Sequence, residues 1–447
     1  MEPSGWHGMC VCFEPILGAV RGWCDGVVDV RRLDEHMGGC IMRRLIRGRV
    51  AIVAALGLLT LAAVVAPLSA GPADAASDPS RAAARRSAAS PGGRTVYVTN
   101  SANVGGAANV TRFSIGGTGA LTPVDAVALG DRGGARSMVF TPDLRFAYLA
   151  NTLVSRLVRF RIGPDGALER LGEVETPGPF AMAIAPDGKT IYVSNSGTRM
   201  LSPFTVGAGG ELVPLRPVDT GAEAAKGVAV TPDGRFVYVS HGSPSDTTPT
   251  VMTGFALRSD GSVGREVARK EIGISGAETV ITPDGRFVYV VNQGSNDVHG
   301  FRIGSGGTLT RVPRSPVDGG DFPEGAAISP DGRGLYVAAV GVEGNDPDAR
   351  AGQVLGFTIG DDGRLTEKHR RVTMASPIGV GFSVDGRHLY VSDYTESIVN
   401  AFAVAPDGTL DLIQTAASNG PRPAFHSVNV LPLRRAASRA IGEQSTP

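Results

Sequence analysis

Arg136, Lys226, Glu278, Glu324 and His426 are the residues of this sequence whose types and placement could do chemistry. A carboxylate or an imidazole can activate water against a carbonyl carbon. A cation can hold the negative charge that then develops on the carbonyl oxygen. Glu278, Glu324 or His426 could be the base, and Arg136 or Lys226 could supply the positive charge. Alternatively, Glu278 and Glu324, helped by Asn and Asp oxygens, could hold a divalent cation. Spacing does not choose between these readings. The G-x-S-x-G elbow, H-E-x-x-H and the P-loop are all absent from the sequence, so no cofactor is expected beyond that optional cation.

These five matter because they interrupt a repeat. From residue 94 one phrase recurs: Thr-Val-Tyr-Val-Thr-Asn at 95–100, Phe-Ala-Tyr-Leu-Ala-Asn at 146–151, Phe-Val-Tyr-Val-Ser-His at 236–241 and four relatives. Its tyrosines are Tyr97, Tyr148, Tyr192, Tyr238, Tyr289, Tyr336 and Tyr390, a period of about 49 residues. Each unit carries four short β-rich runs. In the fifth unit they are 278–281, 286–292, 298–303 and a run starting at 309, with Thr282-Pro283-Asp284-Gly285 as the first turn. Four antiparallel strands per unit, seven times over, predict an all-β seven-bladed β-propeller over 94–432. The first unit lacks an innermost strand, and 426–432 match one with nothing after it. The C-terminal strand is therefore expected to complete the first blade and remove the open edge.

The turn aspartates Asp143, Asp187, Asp233, Asp284, Asp331 and Asp385 set the register. Seven residues before them, at the entrance of each innermost strand, stand Arg136, Phe180, Lys226, Ala277, Glu324 and Ile378, with His426 equivalent in the last strand. Glu278 lies one position further in. The second strands end in Asn100, Asn151, Asn195, His241, Asn292, Ala339 and Asp393. Together these registers predict a polar ring at the channel mouth. The recurrent Asn and Asp residues read first as turn formers and the tyrosines as blade packing. Repetition cannot explain the five charged residues, for which a solvated rim is the plain alternative.

The remaining chain is organised differently. Residues 42–75 read as a signal peptide, with Arg43, Arg44, Arg47 and Arg49 ahead of an apolar run and Ala73-Asp74-Ala75 as the cleavage pattern. A secreted, extracellular protein with no membrane association after cleavage follows. Residues 1–41, which hold Cys10, Cys12, Cys24 and Cys40, read as an extension ahead of the true start, 76–93 as a linker and 433–447 as a flexible tail. With 43 basic and 43 acidic residues and no basic run past the N-terminus, nucleic acid is not an expected partner.

The string Pro-Asp-Gly-Arg-Phe-Val-Tyr-Val-Ser, with the Phe-x-Ile-Gly-x-x-Gly-x-Leu pattern of other units, resembles the repeat of the lactonase propellers. That family includes 6-phosphogluconolactonase-like and carboxymuconate cyclase-like proteins. The segment Ser275-Gly276-Ala277-Glu278 and the closing Phe425-His426-Ser427-Val428 are similar to stretches of its members. The resemblance implies hydrolysis of a lactone at the central channel. The sequence departs from the family where members carry Pro-Arg-His: it reads Gly134-Ala135-Arg136-Ser137 and Phe322-Pro323-Glu324-Gly325. Charges of both signs on a small ring suit a small polar or anionic ligand bound by a monomer. The competing reading is a non-catalytic extracellular propeller that binds a protein or glycan through the long loops at 241–251 and 341–353. The second of these loops, rich in acidic residues, could also take Ca²⁺.

Overall fold

The computed structural model describes residues 94–102, 106–130, 133–243, 247–341 and 351–431. The extension, signal, linker and tail read from the sequence lie outside them, as does most of the acidic loop after Gly341.

The described residues form seven antiparallel sheets. Neighbouring innermost strands contact one another in a closed cycle, so the sheets are the blades of a seven-bladed β-propeller. Blade 1 consists of Thr95–Asn100, Ala108–Ile115 and Leu121–Gly130, closed on the inside by Pro423–Val430. The closing strand is in register as the sequence implies, with Val430 opposite Val96, Asn429 opposite Tyr97 and Val428 opposite Val98. Its tip is anchored by the Leu431 N–H, which donates to Thr95 O at 3.0 Å.

The second strand of each blade is sandwiched on both faces by adjacent blades. That explains why it reads as a nearly continuous run of β-branched and aromatic residues rather than as an alternation. All six residues of Phe236–His241 and of Phe287–Asn292 are buried. The cores lie between blades: Phe236 and Tyr238 of blade 4 pack with Val288, Val290 and Phe301 of blade 5. Burying such side chains stabilises the ring by roughly 1.5–3 kcal/mol each before conformational entropy is subtracted.

The tyrosines do more than pack. Each hydroxyl crosses to the next blade and donates to the carbonyl of a turn glycine. Tyr97 reaches Gly166 at 2.5 Å, Tyr148 Gly210 at 3.2 Å, Tyr192 Gly261 at 3.0 Å and Tyr238 Gly307 at 2.8 Å. Tyr289 reaches Gly363 at 2.7 Å, Tyr336 Gly408 at 2.7 Å, and Tyr390 closes the circle on Gly119 of blade 1 at 3.1 Å. Burial raises every one of these phenols; Tyr192 and Tyr336 are pushed up to about 12.

The Pro-Asp-Gly turns are built as expected. In blade 5 the Thr282 hydroxyl donates to Asp284 Oδ1 at 2.6 Å, and the Arg286 N–H donates to the same oxygen at 3.0 Å. Gly285 supplies the left-handed corner at φ +73°. One expectation needs correcting in detail. The outer strands of blades 3 and 5 are broken into Leu212–Pro214 with Val218–Asp219 and Leu309–Arg311 with Val317–Asp318. Pro214, Pro217, Pro313 and Pro316 lie at the breaks, and proline cannot donate to a strand ladder.

Candidate functional site at the channel mouth

All seven innermost strands enter with a register break against the second strand. The break falls between Ala135 and Met138 in blade 2, Ala225 and Val228 in blade 4, Gly276 and Thr279 in blade 5, and Pro323 and Gly325 in blade 6. Blades 1, 3 and 7 break likewise. A bulge twists the strand and re-aims its side chains. Arg136, Lys226, Glu278 and Glu324 all sit within these breaks, and His426 occupies the equivalent stretch of the closing strand, itself at φ +55°. The strands run close together here: a Cβ on Gly325, directly after Glu324, would lie 2.3 Å from Ile378 O of the next blade.

The structure brings the five residues together. His426 Nδ1 pairs with Glu278 Oε2, although blade 1 and blade 5 lie on opposite sides of the ring. The Arg136 guanidinium rests 4.4 Å from the ring centroid of Phe180, and the Lys226 ammonium lies 5.8 Å from the same centroid. The imidazole of His426 meets Phe180 edge-on at 5.8 Å. Lys226 Nζ donates to Gln293 Oε1 at 3.0 Å and to Ser275 Oγ at 3.3 Å. Gln293 Nε2 in turn donates to Glu324 Oε1, completing a relay from a cation to a carboxyl through one amide.

Glu324 is the most deeply placed of the set, at 3% exposure. Burial pushes its carboxyl up, Lys226 and Arg136 pull it down, Glu278 pushes it up again, and it comes to rest at about 8. A carboxyl held there carries its proton at neutral pH and can donate it.

Phe180 and Gln293 are the contributors that residue type did not single out. Phe180 occupied the right register position but is apolar. Gln293 follows the second strand, where the other blades carry Ser101, Thr152, Ser196, Gly242, Val340 and Tyr394. Its failure to repeat was the available signal.

The second-strand ends do not join the ring, which corrects the wider polar ring expected from register. They are buried and bond groups outside the cluster. Asn151 Oδ1 accepts from the Gly134 N–H at 2.7 Å, and Asn195 Nδ2 donates to Pro177 O at 2.7 Å. Asp393 accepts from the N–H groups of Ser376 and Thr395. The two nitrogens of His241 bond Val251 O at 2.9 Å and Thr220 Oγ1 at 2.8 Å, and burial lowers this imidazole to about 4. Among the described residues no three His, Cys, Asp or Glu side chains gather as a metal-ligand group. Glu278 engages His426, and Glu324 engages Gln293.

Residues 68–252 and 262–343, more than half of the chain, match the family described as lactonase, 7-bladed beta-propeller. The chain belongs to this family. The lactonase propellers it resembles include the 6-phosphogluconolactonase of Yersinia enterocolitica serotype O:8, 31% identical over 149 residues, which are 33% of this chain and 40% of that protein. The 6-phosphogluconolactonase of Pectobacterium atrosepticum is 33% identical over 121 residues, 27% of this chain and 33% of that one. The chain thus aligns with 40% or less of the length of these two relatives. Among solved structures, the periplasmic gluconolactonase of Pseudomonas aeruginosa superposes with a TM-score of 0.60 at 18% identity, covering 76% of this chain and 99% of that one. A Lactobacillus plantarum protein superposes at 0.62 with 15% identity, covering 76% and 99%. At such identities the superpositions speak to the fold of this lactonase propeller.

Proposed function

We propose that this lactonase propeller hydrolyses a small unphosphorylated lactone outside the cytosol, at the mouth of its central channel. The observation that carries the proposal is the meeting of Arg136, Lys226, Glu278, Glu324 and His426, from five blades, in one cluster at the strand entrances. The signal-like segment at 42–75 and the similarity to a periplasmic gluconolactonase support the location and the lack of phosphate.

The geometry suggests roles. Glu278 engages Nδ1 of His426, which leaves Nε2 to take a proton from water. The water oxygen bonds to the lactone carbonyl carbon, and Arg136 or Lys226 neutralises the oxyanion. When the ring C–O bond breaks, the departing alkoxide takes the proton of Glu324. The proton on His426 restores Glu324, and the product is an open hydroxy acid. The fold positions these groups by bulge and relay rather than by a lone loop, so little reorganisation is needed.

A second reading rests on the same cluster: the carboxyls already have protein partners, as a pre-satisfied ligand rim would. In that reading the propeller binds a protein or glycan without turning it over. The deciding experiment is glucono-δ-lactone opening by the secreted protein, measured with and without a chelator. Hydrolysis above the spontaneous rate, unaffected by chelator, is expected. Hydrolysis abolished by chelator would transfer the water-activating role to a divalent cation, and no hydrolysis of any lactone would leave the binding reading.

A further inference from the structure

We infer that Phe322 is a specificity-determining residue, an aromatic platform at the channel mouth for the C–H surface of the bound lactone. The inference rests on the hydrolase reading and concerns what the site prefers.

Phe322 lies two residues before Glu324, where the chain turns into the innermost strand of blade 6. Its backbone is left-handed, at φ +54°. The equivalent positions in blades 3, 4 and 5 are Gly178, Ala224 and Ser275, at φ +50°, +48° and +58°. Four of the seven blades adopt this conformation here, and in the other three of those four a small residue carries it. A bulky side chain there is strained.

The strain is held in place from two sides. The Phe322 N–H donates to Asn296 Oδ1 of blade 5 at 2.9 Å, and its carbonyl accepts from the Val340 N–H at 3.1 Å. Such a residue would normally be explained by packing, but Phe322 is 42% exposed and is the one aromatic among the exposed large apolar side chains described. Neither the conformation nor the core gains from a phenyl ring at this point.

The opposite rim carries an apolar counterpart. In blade 2 the equivalent position is Gly134, and a Cβ there would touch Leu153, which is itself exposed. Leu153 and Phe322 thus lie beside the strand entrances that carry Arg136 and Glu324, and the Arg136 guanidinium pulls the Glu324 carboxyl down. A ligand whose carbonyl meets the charged centre would lay its hydrocarbon surface on these outcrops. That surface is the C–H face of a sugar lactone or the alkyl arm of a substituted one.

The test compares the parent protein with Phe322→Gly, Phe322→Ala and Phe322→Trp on glucono-δ-lactone and on an alkyl-substituted δ-lactone. Phe322→Gly and Phe322→Ala should raise KM about tenfold with kcat within about twofold, and Phe322→Trp should restore KM. A rise confined to the first substrate assigns the platform to the sugar face; a rise confined to the second assigns it to the alkyl arm. Melting of Phe322→Gly should equal or exceed that of the parent, because glycine relieves the backbone. Unchanged KM on both substrates, or melting lowered by several degrees in Phe322→Gly, would overturn the inference. If the parent opens neither lactone, the hydrolase reading falls, and calorimetric binding of gluconate and of the alkyl hydroxy acid decides the platform alone. Binding that is lost in Phe322→Gly upholds it. Binding that is retained, or absent from the parent, overturns it.

Discussion

Each innermost strand has two ends, and they obey different rules. At the Pro-Asp-Gly end six blades repeat one device: a turn aspartate capped by a Ser or Thr hydroxyl or by the N–H two residues on. At the mouth end the shared register position holds His426, Arg136, Phe180, Lys226, Ala277, Glu324 and Ile378, with no residue type repeated, and Glu278 follows Ala277. The ends also respond to protons in opposite senses. At Asp385 burial pushes the carboxyl up, but bonds from Ser383 and Arg387 outweigh it and leave it at about 2. At Glu324 burial wins. A repeated position is constrained by the ring, and a unique one is released from it for something else.

The largest effect should come from removing the strand shared by both ends. Deleting the chain from residue 425 strips blade 1 of its inner strand and opens an edge. The truncated chain should lack the cooperative melting transition and give a collapsed or aggregated species by light scattering. A truncated protein with unchanged melting would dissolve the idea that the ring depends on this closure.

Next in size, the double change Arg136→Ala with Glu278→Ala should reduce lactone hydrolysis by about 10³-fold or more, while melting shifts by only a few degrees. Both changes lie at the mouth, so the comparison holds if activity and stability separate. Retained activity would move the site elsewhere.

The opposed proton responses give a finer test. Glu324 has a folded value above its unfolded one. Its contribution to stability is therefore complete below the ordinary glutamate range and is lost as pH rises towards about 8. Glu324→Gln should remove that loss, so the variant gains on the parent between pH 5 and 8. For Asp385 the sign reverses, and stability is lost as pH falls through the range from about 4 to about 2. Asp385→Asn should therefore gain on the parent only in acid. Identical pH–melting profiles for the two variants would erase the distinction between the ends.

The smallest effect belongs to the tyrosine circle. Tyr238→Phe removes one hydroxyl from Gly307 O and should cost about 1 kcal/mol of stability by denaturant titration, with unchanged kcat.

The ring was legible because it is written seven times. The tyrosines, the turn aspartates and the missing first strand fixed blade count, register and closure without any three-dimensional information. The cluster was half legible. Register could bring Arg136, Lys226, Glu324 and His426 to one circle, but Glu278 lies one position deeper and reaches His426 because of a bulge that composition does not announce. The polar second-strand ends misled for the opposite reason: they were counted at the mouth by type, yet they are buried and bond neighbouring backbone and side chains away from the cluster. Phe180 and Gln293 carry no charge, and their roles depend on neighbours from other blades.

His426 stands on the strand that closes blade 1, and its imidazole reaches across to blade 5. The strand that closes the ring thus also completes the charged cluster. A chain cut between Glu324 and His426 holds four of the five groups and no bridge over the channel. Any catalysis that uses this imidazole would depend on the closing strand being in place. Moving the termini to the exposed residues Arg258–Asp260 would end that dependence, since Pro423–Val430 would then run on, through a linker, into Thr95–Asn100 as an ordinary hairpin.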